Sequence, residues 1–233
     1  MKRILILCCV SLTSTTAFAT EEGSGEQLFL RVIQDANFGF YLGGTGVVPL
    51  NENTALRIYG NLYTNPVFAT ARGTGAWVEA GAGIEWLATE SLLLGAQLGV
   101  SNGTVLAGSD EPIVAEGLVP GVDLTWTVDP LELALFASYY AGVRRQSDDG
   151  IDYLIAGGTL TATLRQWVSA GVLYELIEIW VPRQDERFTE YQWLGPVGSF
   201  RFGDRASLLL SAGWDFADRG ASEFYRAQLG FTF

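Results

Sequence analysis

Histidine is absent from all 233 residues, and three other side-chain types occur only at the extreme start of the chain. Lysine and methionine appear once each, as Lys2 and Met1, and the two cysteines are Cys8 and Cys9. Each absence excludes a chemistry. Without histidine a serine lacks the usual neutral-pH base, and without a later lysine a Ser–Lys pair is equally unavailable. Zinc, copper or haem sites built on His, Cys or Met ligands cannot form. Carboxylate chemistry is what remains, so no catalytic activity, no metal and no cofactor are expected. Nor is there any apolar run near the twenty residues that a membrane-spanning helix needs.

The rare residues cluster where a secretory signal peptide would sit. Lys2 and Arg3 make a short positive start, Ile4 to Leu12 an apolar run, and Ala17-Phe18-Ala19 a small-x-small cleavage site. Cys8 follows Leu7 and lies too early for a lipoprotein attachment site. We expect residues 1–19 to be removed, 20–26 to form a short leader, and 27–233 to form one domain without an internal linker. Cleavage takes both cysteines, the lysine and the methionine, so an exported chain would carry no disulfide. It also removes Lys2 and Arg3, which takes the net charge from −12 to −14. That acidity argues against nucleic acid as a partner.

What is present is alternation. Leu92, Leu94, Ala96, Leu98 and Val100 alternate with Leu93, Gly95, Gln97 and Gly99. Leu118, Val122, Leu124 and Trp126 alternate with Gly121, Asp123 and Thr125, and Leu208, Leu210, Ala212 and Trp214 with Ser211 and Gly213. This period of two belongs to strands with one greasy and one polar face. Similar runs fall near 36–50, 54–65, 73–88, 131–144, 153–164, 168–178 and 190–202, and no stretch shows a convincing helical period. Gly43-Gly44-Thr45-Gly46 lies inside a strand pattern with no helix after it, which argues against a phosphate-binding loop.

Short turns at Asn51-Glu52-Asn53, Thr89-Glu90, Asp129-Pro130, Arg165-Gln166 and Gly203-Asp204 alternate with longer links near 64–73, 102–114, 144–152, 179–190 and 218–222. Sorting connections into two kinds is a property of membrane barrels, with tight turns at one end and longer loops at the other. An even strand number requires one more rising strand, which Gln27 to Gln34 can supply. About twelve strands are predicted, or ten if that segment forms none. Aromatics sort by height: Trp86, Trp126, Trp167, Phe202, Phe231 and Phe233 near the turn end, and Phe38, Tyr63, Tyr139, Trp193, Trp214, Phe216 and Tyr225 near the loop end. Two belts of this kind fit two membrane interfaces.

The last ten residues, FYRAQLGFTF, put Tyr225, Ala227, Leu229, Phe231 and Phe233 on one face. This ending resembles the C-terminal signal of bacterial outer-membrane β-barrel proteins, whose last strand alternates apolar residues and closes on an aromatic. The resemblance implies an all-β, single antiparallel up-and-down transmembrane barrel in the outer membrane. It also implies engagement of the barrel assembly machinery through the strand from Tyr225 to Phe233. The familiar enzymes of this class use a histidine, which this chain lacks. A soluble periplasmic barrel with its faces reversed stays open at this point.

On this trace the inward face carries Arg57, Asn61, Glu79, Gln97, Asp123, Glu175, Asp215 and Arg226 as candidate pore-lining residues, together with Tyr59, Glu85, Glu132, Tyr140, Arg201 and Gln228. Two readings follow. In one, Arg57 and Arg226 pair with Glu79, Glu175 or Asp215 and fill a narrow barrel. In the other, water fills the interior and the acidic excess favours cations. The inward glycines, among them Gly81, Gly83, Gly95, Gly121, Gly157 and Gly171, make room either for solute or for bulky neighbours such as Tyr59 and Trp77. Arg144, Arg145, Arg183, Arg187 and Arg219 gather at the external rim, where guanidinium groups suit the phosphates of lipopolysaccharide. Asp148-Asp149-Gly150-Ile151-Asp152 lacks the spacing of a calcium loop and reads as a solvated turn. The expectation is a monomer among outer-membrane lipids, acting as a narrow, cation-leaning pore or small-solute channel. The alternative is a non-conducting structural or surface-interaction barrel.

Overall fold

The computed structural model describes residues 26–36, 38–64, 77–148, 150–217 and 223–233. Alternation becomes twelve antiparallel strands: β1 Gln27–Asp35, β2 Gly39–Asn51, β3 Thr54–Tyr63, β4 Trp77–Thr89, β5 Leu92–Gly103 and β6 Ile113–Val128. They continue as β7 Leu131–Gly142, β8 Asp152–Arg165, β9 Val168–Val181, β10 Glu186–Phe202, β11 Ala206–Asp215 and β12 Glu223–Thr232. Each strand pairs with its sequence neighbours, and β1 pairs with β12 to close the ring. The strand expected over Gln27 to Gln34 is therefore real, and it settles the count at twelve. Closure leaves no strand edge, so backbone donors and acceptors around the ring are matched.

One side-chain parity faces out along each strand, except where register shifts interrupt the ladders. Leu98 is 55 % exposed, Val122 59 % and Leu210 45 %, in a molecule whose large apolar side chains form the outer surface. Their neighbours Gln97, Asp123 and Leu209 are buried. An apolar exterior around an interior that holds most of the charged side chains of the strands is the arrangement that lipid selects and water does not.

The five tight turns fall at one end. Asn51 Oδ1 accepts the Asn53 N–H (3.0 Å) and Thr89 Oγ1 accepts the Ser91 N–H (3.3 Å), short polar side chains closing the backbone on itself. Gly203 supplies the left-handed conformation (φ 67°) that ends β10. Two expectations need correction at the other end. The link foreseen over 179–190 is only 182–185, because β9 and β10 continue upward as a ladder pairing Glu186 with Val181. A register shift between Thr189 and Tyr191 carries that extension. Phe38, Tyr63 and Trp193 do not join an outer belt. They are 4 %, 7 % and 1 % exposed and pack inside the barrel. The outer belt at that end is made by Phe40, Tyr139, Trp214, Phe216 and Tyr225. The links foreseen at 64–73 and 218–222 fall almost wholly outside the described residues.

Candidate functional site

The interior is layered. At mid-height Arg57 on β3 donates through Nη1 to Glu85 Oε1 on β4 (3.2 Å) and through Nη2 to Asp123 Oδ1 on β6 (2.6 Å). Reaching β6 means crossing the inner face of β5, and a glycine clears the way: a Cβ on Gly95 would collide with the Asp123 carboxylate. Toward the other side of the ring, Arg226 on β12 forks onto Glu175 on β9, with Nη2 to Oε1 at 2.8 Å and Nη1 to Oε2 at 2.9 Å. The Tyr191 hydroxyl donates to the same carboxylate (2.5 Å), and the Arg226 guanidinium lies 5.4 Å from the Trp193 ring centre. A two-toothed arginine–carboxylate contact fixes both orientation and distance. Glu79 on β4 accepts from the Tyr140 hydroxyl on β7 (2.8 Å).

Above this polar layer, toward the loop end, the core is aromatic. Tyr41 stacks on Tyr63 (4.9 Å), Tyr63 meets Trp77 (4.8 Å), Trp77 meets Tyr140 (5.5 Å), and Tyr140 stacks on Tyr153 (4.2 Å). A second stack runs from Tyr191 through Trp193 to Phe224. Between Tyr41, Asn61 and Tyr63 on one wall and Phe136, Ser138 and Tyr140 on the facing wall remains a cavity of about 20 Å³. That is room for about one water. The inward glycines serve bulky neighbours here. A Cβ on Gly99 would strike the Tyr59 hydroxyl, and one on Gly103 would strike Trp77. Toward the turn end, Glu132, Ser169, Arg201, Ser207 and Gln228 are only half-buried on the inner wall, so water reaches that end.

Arg57, Asn61, Glu79, Gln97, Asp123, Glu175 and Arg226 thus lie together inside the barrel, all buried. Asp215 stands apart at the loop end of β11. It accepts from the Gln192 and Ala217 N–H groups and the Trp193 indole, and so staples the end of that hairpin. Glu79, Glu175 and Asp215 are the arginine partners expected from the sequence. The structure gives Glu175 to Arg226, but Glu85 and Asp123 to Arg57. Arg31 is also buried inside and is absent from the expected set, although Leu28, Leu30 and Val32 on the opposite parity imply its facing. At the rim, Arg145 pairs with Asp152, Arg183 with Asp148, and Arg187 with Glu178 while lying over Trp180. Arg144 donates to the Val114 carbonyl. Arg219 lies outside the described residues.

The family model of DUF6733, a family of unknown function, matches residues 1–233. The chain belongs to that family. No curated protein matches it in sequence. Among solved structures, the COG4313 outer membrane channel from Pseudomonas putida F1 superposes with a TM-score of 0.62, at 10 % identity, over 95 % of this chain and 100 % of that one. The NanC porin gives 0.55 at 11 % identity, over 88 % of this chain and 98 % of that one. The KdgM porin gives 0.53 at 10 %, over 88 % and 99 %. Identities this low speak for the fold. Together with the closed ring and its apolar exterior, they make this DUF6733 protein an outer-membrane β-barrel.

Proposed function

We propose that this protein is a small-solute channel of the outer membrane, shut in its resting state, whose acidic inner wall favours cations. The observation that carries the reading is what fills the middle of the barrel. Ion pairs cross the interior from β3 to β6 and from β12 to β9, set among buried apolar side chains such as Val119, Leu173 and Ile177. Buried ion pairs are poor stabilisers compared with apolar residues of the same volume, so filling alone does not account for them. Once water enters, those same groups become a charged wall along a conduction path. Glu79, Glu85, Asp123, Glu132 and Glu175 outnumber Arg31, Arg57, Arg201 and Arg226 on that wall. The fold likeness to an outer membrane channel and to two porins supports the reading. It involves no catalytic step.

One observation favours a non-conducting barrel that acts through its outer surface. Arg57, Glu79, Glu85 and Glu175 are at most 1 % exposed, whereas the wall of a water-filled pore is accessible. Conductance in a planar bilayer separates the two. We expect discrete steps, sparse in the unaltered protein and frequent once Arg57→Ala, Glu85→Gln and Asp123→Asn remove the pairs together. The reversal potential under a salt gradient should show cation preference, weakened by Glu79→Gln or Glu175→Gln. A folded barrel silent in every one of these forms would sink the channel and leave the surface-acting reading.

A further inference from the structure

The β5–β6 connection, residues 104–112, does not stand out in solvent as a long external loop would. Leu106 and Ala107 are completely buried, and Thr104 and Ser109 nearly so. The seat they occupy is lined with glycine. A Cβ on Gly117 would run into the Leu106 side chain, and one on Gly142 or Gly150 would come within 2.9 Å of the Leu106 carbonyl. A loop taken out of water needs partners for its backbone groups. One carboxylate oxygen of Glu116 accepts both the Leu106 N–H (2.9 Å) and the Ala107 N–H (3.1 Å).

Glu116 is available for this only because β6 is irregular there. Its even-numbered neighbours Leu118, Pro120 and Val122 face lipid, and strict alternation would send residue 116 the same way. The register shifts between Ser101 and Gly103, Ala115 adopts φ 52°, and its N–H donates to Asn102 Oδ1 (2.8 Å). A non-glycine residue held in the left-handed region is strained, and such strain persists only where surrounding contacts enforce it. Here the result is a carboxylate turned inward under the loop. The β7–β8 connection grips the same loop from the other side. The Gln146 N–H donates to the Ala107 carbonyl (2.9 Å) and the Ser147 hydroxyl to the Gly108 carbonyl (2.6 Å). Trp77 of the aromatic layer lies directly beneath, since a Cβ on Gly103 would touch both its ring and Glu116.

We propose that residues 104–112 form a lid on the outer mouth of the barrel, with Leu106 and Ala107 as its stopper and the Glu116 carboxylate as its latch. The lid gates the pathway named above and rests on the channel reading for what it admits, but not for its own opening. The test uses the full-length protein reconstituted in lipid vesicles, with a cysteine introduced by Ala107→Cys and a membrane-impermeant maleimide as the probe. Labelling should be at least about tenfold slower than at exposed Asp110→Cys, and adding Glu116→Ala should speed it by about tenfold or more, with a smaller rise for Glu116→Gln, which keeps an accepting oxygen. Ser147→Ala loosens the opposite side without touching a charge and should give a smaller rise in the same direction. Heat-dependent gel mobility reports in each case that the barrel has folded. Labelling of Ala107→Cys as fast as Asp110→Cys with Glu116 intact overturns the lid, and so does a rate indifferent to all three latch changes. Unlatched labelling in a barrel that never conducts overturns the channel and leaves the lid standing. Conductance from a barrel whose labelling ignores Glu116 does the reverse.

Discussion

Alanine in place of Arg57 is expected to destabilise the folded barrel by about 3–5 kcal/mol, because it strands Glu85 and Asp123 inside without their cation. Urea titration in lipid vesicles, followed by tryptophan fluorescence and by heat-dependent gel mobility, measures the loss. The cause lies in the uncompensated charges and not in the missing side-chain volume, so neutralising them should reverse most of it. Glu85→Gln with Asp123→Asn, added to Arg57→Ala, is expected to recover more than half of the lost stability. A loss below about 1 kcal/mol for Arg57→Ala alone, the range of solvent-exposed pairs, would mean that water already bathes these groups. The interior would then be wet in the resting protein, and the shut state would have to be abandoned.

Arginine in place of Leu98 carries the second large effect. Leu98 lies near the middle of β5, pairs with Pro120 across the ladder, and points outward with 55 % of its surface free. On the lipid face of an outer-membrane barrel, an arginine near the bilayer midplane costs about 2–4 kcal/mol. On a water-facing surface the same change falls within about 0.5 kcal/mol of zero. The same titration therefore decides which solvent the outer face meets. A neutral Leu98→Arg would revive the soluble barrel that the sequence alone leaves open.

The fold is legible in the sequence because its code is binary. A strand with different solvents on its two sides must alternate, and a one-residue slip would turn every side chain to the wrong face. Parity alone therefore puts Arg57, Glu79, Asp123, Glu175 and Arg226 inside. It says nothing of height or of partner. Asp215 shares the inward face but sits at the loop end as a staple, and Arg57 meets Glu85 and Asp123 because its neighbours across the ladder and the gap over Gly95 put them in reach. Aromatics mislead for a related reason. Phe38, Tyr63 and Trp193 lie toward the loop end of the barrel, but height without facing does not distinguish a belt from a core. Glu116 is invisible to parity because the irregularity in β6 suspends the alternation on which parity depends. Local breaks in such a rule are where functional or strained sites are expected.

Closure of β1 onto β12 gives the molecule a further property. Phe29 pairs with Thr232 and Asp35 with Arg226, and Leu28 and Phe233 exchange backbone hydrogen bonds beyond the end of that ladder. The first and last strands of the barrel are thus spatial neighbours, and the seam between them forms only when the whole sequence has arrived. In an open sheet, losing a terminal strand merely moves the edge inward by one. In a ring the same loss bares two edges in lipid, where unpaired backbone groups have no solvent to turn to. An eleven-strand form is therefore expected to be unstable in lipid, and the ring to be completed, or dismantled, as a whole.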